Sequence, residues 1–86
     1  MIRALLVDDE APARSELRYL LATHPEVEVV GEAASATEAL KLAAAVRYDA
    51  VFIDIEMPGL SGLDAARLVH GRPGVPQLVF VTAHEE

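Results

Sequence analysis

Apolar residues along the chain fall into two patterns, short continuous runs and segments with helical spacing, and the two alternate. Ile2 to Val7 is an apolar run that reads as a strand. Pro12 follows at a position the first turn of a helix tolerates, because the missing N–H would be unpaired there anyway. Ala13, Leu17, Leu20, Leu21 and His24 then recur at helical spacing, with Arg14, Glu16 and Arg18 elsewhere, which predicts a helix from Ala11 to about Thr23. His24-Pro25 ends it, since proline disfavours the helical conformation in the residue before it. Val27 to Ala33 alternates in part and predicts a strand with one polar side, and Gly31 inside it marks a bend or a close backbone approach. Ser35-Ala36-Thr37-Glu38 is a capping box. It opens a helix with Ala36, Ala39, Leu40 and Ala43 on one stripe, ending near Val46. Ala50 to Ile53 is a third strand. Ser61-Gly62-Leu63-Asp64 repeats the capping signal before a short helix from Leu63 to about His70, closed by Gly71-Arg72-Pro73-Gly74. Gln77 to Val81 is a fourth strand, apolar on both sides and therefore expected to be covered on both. His24 and His70 read as helix C-terminal residues rather than metal ligands.

Strands alternating with helices predict a parallel sheet with right-handed crossovers and helices on both faces. The ends of three strands then become the informative positions. The first runs into Asp8-Asp9-Glu10, the third into Asp54, and the fourth into Thr82-Ala83. Asp54 alone would be read as a loop-starting carboxylate before the Pro58-Gly59 turn. In a parallel sheet, however, ligands bind outside the carboxyl ends of the strands. Neighbouring strands lie about 4.8 Å apart, so these side chains can share one ligand. The expected pocket holds three carboxylates and one hydroxyl.

Composition narrows what such a pocket serves. The 86 residues allow one domain, and 52% hydrophobic residues supply a core and exclude disorder. No apolar run approaches the roughly 18 residues of a membrane span, and no signal-peptide pattern opens the chain. The absence of cysteine excludes disulfides and thiolate chemistry and fits a cytoplasmic setting. Fourteen acidic against seven basic residues give a net charge of −7. That surface repels phosphates, so direct nucleic-acid binding by this segment is not expected. It suits a cation or a basic partner.

Crowded carboxylates repel by roughly 4 kcal/mol for a pair about 4 Å apart at an effective dielectric of 20. A hard divalent cation offsets this, and Mg²⁺ takes oxygen ligands while keeping several waters. Open coordination positions suit a phosphoryl group. A carboxylate can itself accept that group as an aspartyl phosphate.

The segments Leu6-Val7-Asp8-Asp9-Glu10, Phe52 to Gly62 and Val79-Phe80-Val81-Thr82-Ala83 resemble the receiver domain of two-component response regulators, in order and over nearly the whole chain, Ile2 to His84. The wording around Asp54 and Val81-Thr82-Ala83-His84-Glu85 is similar to receivers joined to LytTR-type DNA-binding domains. The resemblance implies a flavodoxin-like (CheY-like) doubly wound sheet in the order 2-1-3-4, with the helix from Ala11 to Thr23 on one face and the other two on the opposite face. It implies Asp54 as phosphoacceptor. Mg²⁺ would be held by Asp8, Asp9, Asp54 and the backbone carbonyl of Glu56, with Asp8 acting directly or through water. Thr82 would be the switch hydroxyl, with Ala83 small beside it. Glu10 is either a more distant support or a solvated charge at a helix start. A cognate histidine kinase would be the donor and a DNA-binding domain the output, and the domain would have no turnover on a free substrate.

The chain also departs from the family pattern. A receiver has a fifth strand that opens near a lysine, with two further helices, whereas the only lysine here is Lys41, on the second helix. Residues 1–86 therefore read as a receiver domain incomplete at its C-terminus. The alternative reading is a non-phosphorylated truncated or pseudo-receiver that acts as a protein-interaction module, which the missing lysine favours. A haloacid-dehalogenase-type phosphatase also starts from a strand-terminal Asp, but it needs a second Asp two residues on, where this chain has Glu56. The fourth strand would be a sheet edge, and self-association through it, by edge pairing or exchange of elements, is expected.

Overall fold

A computed structural model describes residues 1–70, 74 and 76–81. Seven elements follow in order: β1 (Ile2–Val7), α1 (Ala11–Leu21), β2 (Val27–Ala33), α2 (Ala36–Ala45), β3 (Ala50–Asp54), α3 (Gly62–Arg67) and β4 (Gln77–Val81). The strands form one sheet in the order β2-β1-β3-β4. Every pairing is parallel, as the alternation of strands and helices requires.

Register decides which strand ends meet. Val7 lies opposite both Ala33 and Ile53, and Asp54 lies opposite Val81. The first residues beyond β1 and the last of β3 therefore sit together on one edge. The β1–β2 register shifts between Ala4 and Leu5, so that Ala4 faces Val29 while Leu5 faces Gly31. Gly31 leaves room there for α2: a Cβ would sit 2.6 Å from a terminal carbon of Leu42, which would have to move. Of the bend or close backbone approach read from this glycine, the structure shows a register irregularity and a side chain packed close to the backbone, and the partner, Leu42, lies outside the apolar stripe predicted for α2.

One sheet face carries the core. Leu5, Val7, Val51 and Ile53 are buried there with Ala39 and Ala43 of α2 and with Leu68 just past α3. The alanines let α2 lie close to the strands. Buried Tyr48 donates its hydroxyl to the Leu68 carbonyl, tying the entry of β3 to the end of α3. α1 contributes no residue to this core and contacts β1 and β2, which places it on the other face.

Helix termini follow the caps with two adjustments. Ser61 Oγ accepts from Asp64 N–H at 3.0 Å, and Asp64 accepts from Ser61 N–H at 3.3 Å, a reciprocal capping box. Ser35 Oγ accepts from Glu38 N–H at 3.1 Å, but Glu38 reaches back one residue further, to Ala34 N–H at 2.8 Å. α1 stops at Leu21 and α3 at Arg67, both short of the expected ends. Beyond them Thr23 and His24 bond the carbonyls of Leu20 and Leu21, and Leu68 and Val69 those of Ala65 and Ala66. These three-residue bonds tighten the last turns. The buried row on α1 also differs from expectation. Ala13, Leu17 and Leu21 are half-buried, whereas Leu20 is 54% exposed and His24 lies out beside Glu26. Leu20 and Leu21 are adjacent and about 100° apart around the helix, so both cannot face the sheet.

Candidate phosphoryl and metal site

The site is built at the carboxyl ends of β1 and β3. Asp8 leaves β1 with its peptide held from several sides. Its N–H donates to the Ala33 carbonyl at 3.0 Å, its own carbonyl accepts from Arg14 Nη1 at 2.6 Å, and its Oδ1 accepts from Glu10 N–H at 2.9 Å. That last bond closes a local turn and sends the chain into α1, whose N-cap, Glu10, makes no side-chain cap of its own. Asp9, between them, is exposed.

Asp54 ends β3. Its Oδ1 accepts from Glu56 N–H at 2.9 Å, while Ile55 N–H donates to the Val81 carbonyl at 3.2 Å and so ties the strand end to β4. Buried Met57 anchors the loop beyond. Leu60 N–H closes onto the Met57 carbonyl at 3.4 Å across Pro58 and Gly59, and Gly59 takes φ +80°. Proline then glycine with positive φ is the pattern of a type II turn, and it carries the chain away from the carboxylate.

These strand ends bring one carboxylate oxygen each of Asp8, Asp9 and Asp54 within 4.8 Å of one another. Asp8 is only 8% exposed. Burial pushes its pKa above the ordinary carboxylate value. The Glu10 N–H bond opposes that rise, the charges of Asp54 and Asp9 add to it, and Arg14 draws it back. Three oxygens of one charge converging on one point suit a hard divalent cation, which takes oxygen ligands and needs no thiolate or imidazole. Among the expected site residues, the structure gathers Asp8, Asp9 and Asp54 and sets Glu56 in the adjoining turn. Thr82 and Ala83 lie outside the described residues.

Arg14 and Glu32 were not expected at the site. Arg14 belongs to the polar set of α1 and Glu32 to the polar side of β2, and nothing local in either segment signals a partner. The crossing of α1 over the sheet brings them together: Arg14 Nε donates to Glu32 Oε1 at 3.1 Å, and Arg18 Nη1 bonds Glu32 Oε2.

Comparison with known proteins bears on the chain as a whole. The family model of the response regulator receiver domain matches residues 4–86. Transcriptional regulatory protein BtsR of Salmonella typhi is 43% identical over 86 residues, which is all of this chain and 36% of that protein. The chain thus spans little more than a third of the length of such relatives. Among solved structures, the response regulatory domain of protein mrkE from Klebsiella pneumoniae is 34% identical with a TM-score of 0.80, covering 99% of this chain and 70% of that one. A structure of the P1 domain of CheA3 in complex with CheY6 from R. sphaeroides matches at 32% identity and a TM-score of 0.75, over 94% of this chain and 63% of that one.

Proposed function

The chain belongs to the response regulator receiver domain family, and from that premise we propose that it is a phosphoacceptor of two-component signal transduction, with Asp54 as the residue modified. The observation that carries this reading is the convergence of Asp8, Asp9 and Asp54 oxygens within 4.8 Å at the carboxyl edge of a parallel sheet. Asp54 Oδ1 is engaged by the Glu56 amide, which leaves Oδ2 without a hydrogen bond among the described residues and available to an incoming group. In the transfer, an Asp54 oxygen bonds to phosphorus as the phosphorus–nitrogen bond of a phosphohistidine breaks. The leaving imidazole takes its proton from solvent.

Asp8, Asp9, Asp54 and the Glu56 carbonyl would hold Mg²⁺, which when bound neutralises charge on the phosphoryl group. The chain's own contribution is to hold those oxygens ready and to keep Asp54 at the mouth of the sheet. Thr82 is the switch hydroxyl in this reading and Ala83 the small residue beside it. The donor is a histidine kinase phosphotransfer domain, in keeping with the complex solved for a relative. A transcriptional output joined to the domain is in keeping with the regulator it resembles. The domain takes a phosphoryl group once per cycle and turns over no free substrate, in the cytoplasm. No helix among the described residues is long and apolar enough to cross a membrane. β4 pairs only with β3 among the described residues, and Phe80 is 56% exposed. Pairing with a second copy through this strand belongs to the same reading and would show as concentration-dependent light scattering.

Acetyl phosphate with Mg²⁺ tests the assignment. The intact mass should rise by one phosphoryl group in the parent and stay unchanged in Asp54→Asn, with both variants melting cooperatively. Labelling that persists in Asp54→Asn refutes Asp54 as the acceptor.

A further inference from the structure

We infer that Arg14 is a positioning residue for the acidic cluster, holding the Asp8–Asp9 peptide in the orientation that presents Asp9 to a cation, and that Glu32 anchors Arg14 in that task. The inference rests on reading Asp8, Asp9 and Asp54 as the cation site.

The geometry is a chain of contacts across three elements. Arg14 Nη1 donates to the Asp8 carbonyl at 2.6 Å, and Arg14 Nε donates to Glu32 Oε1 at 3.1 Å. The Arg14 side chain is 18% exposed, unusually enclosed for an arginine on a helix of this kind. Its rigid planar fork presents Nε and Nη1 to the two partners in a fixed geometry, which an ammonium on a flexible stem does not reproduce. Glu32 is held from a second side by Arg18. The residue after Glu32, Ala33, accepts from Asp8 N–H at 3.0 Å. The end of β2 thus grips the Asp8 backbone directly through Ala33 and indirectly through Glu32 and Arg14.

The consequence lies in the peptide unit. The Asp8 carbonyl shares a rigid plane with the Asp9 N–H, so fixing that oxygen fixes the direction in which the chain enters Asp9. Asp9 is exposed, and no other described side chain bonds its carboxylate. Its place in the cluster therefore depends on the backbone that carries it. Partners that orient metal ligands commonly matter 10- to 100-fold in affinity.

Charge and position predict opposite signs here, which makes the test decisive. A guanidinium beside three carboxylates repels a cation, so deleting it for charge alone would tighten binding. If Arg14 positions Asp9, deleting it weakens binding. Mn²⁺ added to the chain, with the free ion counted by electron paramagnetic resonance, reads the difference. Arg14→Met should weaken Mn²⁺ on the order of 10-fold, and Arg14→Lys, which keeps the charge and loses the fork, should weaken it too. Glu32→Gln, which leaves Arg14 in place but loosens its anchor, should show a smaller loss in the same direction; removing the Glu32 charge also lowers cation affinity, so the opposition of signs is read from the Arg14 variants. A merely structural Arg14 would lower the metal-free melting temperature and leave the Mn²⁺ affinity unmoved. Unchanged or tighter binding in Arg14→Met overturns the inference. Should that variant lose its cooperative melt, unchanged affinity in both Arg14→Lys and Glu32→Gln overturns it. If Asp9→Ala abolishes binding while the Arg14 and Glu32 variants match the parent, the cation site stands and only the role of Arg14 falls. If the parent binds Mn²⁺ no better than Asp9→Ala, the cation site itself falls and the inference with it.

Discussion

Aspartates stand at both ends of the same sheet, and they are used in opposite ways. At the amino end, Asp49 is exposed and is bonded through its carboxylate and both backbone groups. Its Oδ2 accepts from Arg3 N–H at 2.9 Å, its N–H donates to the Arg3 carbonyl at 2.7 Å, and its carbonyl accepts from Gln77 N–H at 2.8 Å. Arg3 in turn bonds the Arg47 carbonyl at 2.9 Å through Nε. This residue, by its carboxylate to β1 and by its backbone to β1 and β4, joins the starts of β1, β3 and β4. At the carboxyl end, Asp8, Asp9 and Asp54 face one another, and among the described residues the cations nearest in this network, Arg14 and Arg18, are turned to Glu32 and to a backbone carbonyl. One end satisfies its charge with the protein's own backbone. The other gathers like charges, which repel one another and which, in the reading proposed above, a cation would offset.

The contrast can be broken at either end. The largest effect belongs to the ligand side. Asp9→Ala should weaken Mg²⁺ or Mn²⁺ by at least about 10-fold, the lower range of what even supporting residues contribute. It should also remove the rise in melting temperature that the metal brings to the parent, since a ligand of the folded state stabilises by mass action. An equal response to metal in parent and variant would show the site to be misplaced. Next comes the structural end. Asp49→Ala deletes one hydrogen bond at an exposed position, worth about 1 kcal/mol. It should lower the melting temperature by about 4–8 °C for a domain of this size and leave metal affinity unchanged.

The smallest effect sharpens the comparison through pH. Asp8 has a raised pKa in the fold, because burial and then its carboxylate neighbours disfavour its charged form. A raised folded pKa means that its contribution to stability is fully present below the ordinary carboxylate value of about 4 and is lost as pH rises through the folded value. Metal-free Asp8→Asn keeps an oxygen to accept from Glu10 N–H and removes that loss. Its melting temperature should therefore exceed the parent's at pH 7 by a few degrees, and the gap should close toward pH 4. A gap that is constant across this range would remove Asp8 from the account of apo stability.

How much of this was legible beforehand differs from residue to residue. Asp54 and the Asp8-Asp9 pair were readable because each follows a short apolar run, and parallel pairing puts such ends on one edge whatever the packing details. Ser61 and Asp64 were readable because a capping box is local. Leu20 was misplaced because spacing alone cannot say which of two adjacent leucines a helix turns to its sheet. Leu42 was missed because its partner is the empty place at Gly31, eleven positions earlier.

Local sequence thus determined the elements, their order, the parallel pairing and the carboxylates at the strand ends, since these depend on propensity, periodicity and the short reach of caps and turns. Tertiary structure decided what those carboxylates lean on. Arg14 meets Glu32 eighteen residues away and Asp49 meets Arg3 forty-six residues away. Such contacts are set by where α1 crosses the sheet and by the register of β1 against β3. Two segments of chain read separately carry no record of the angle at which they will meet.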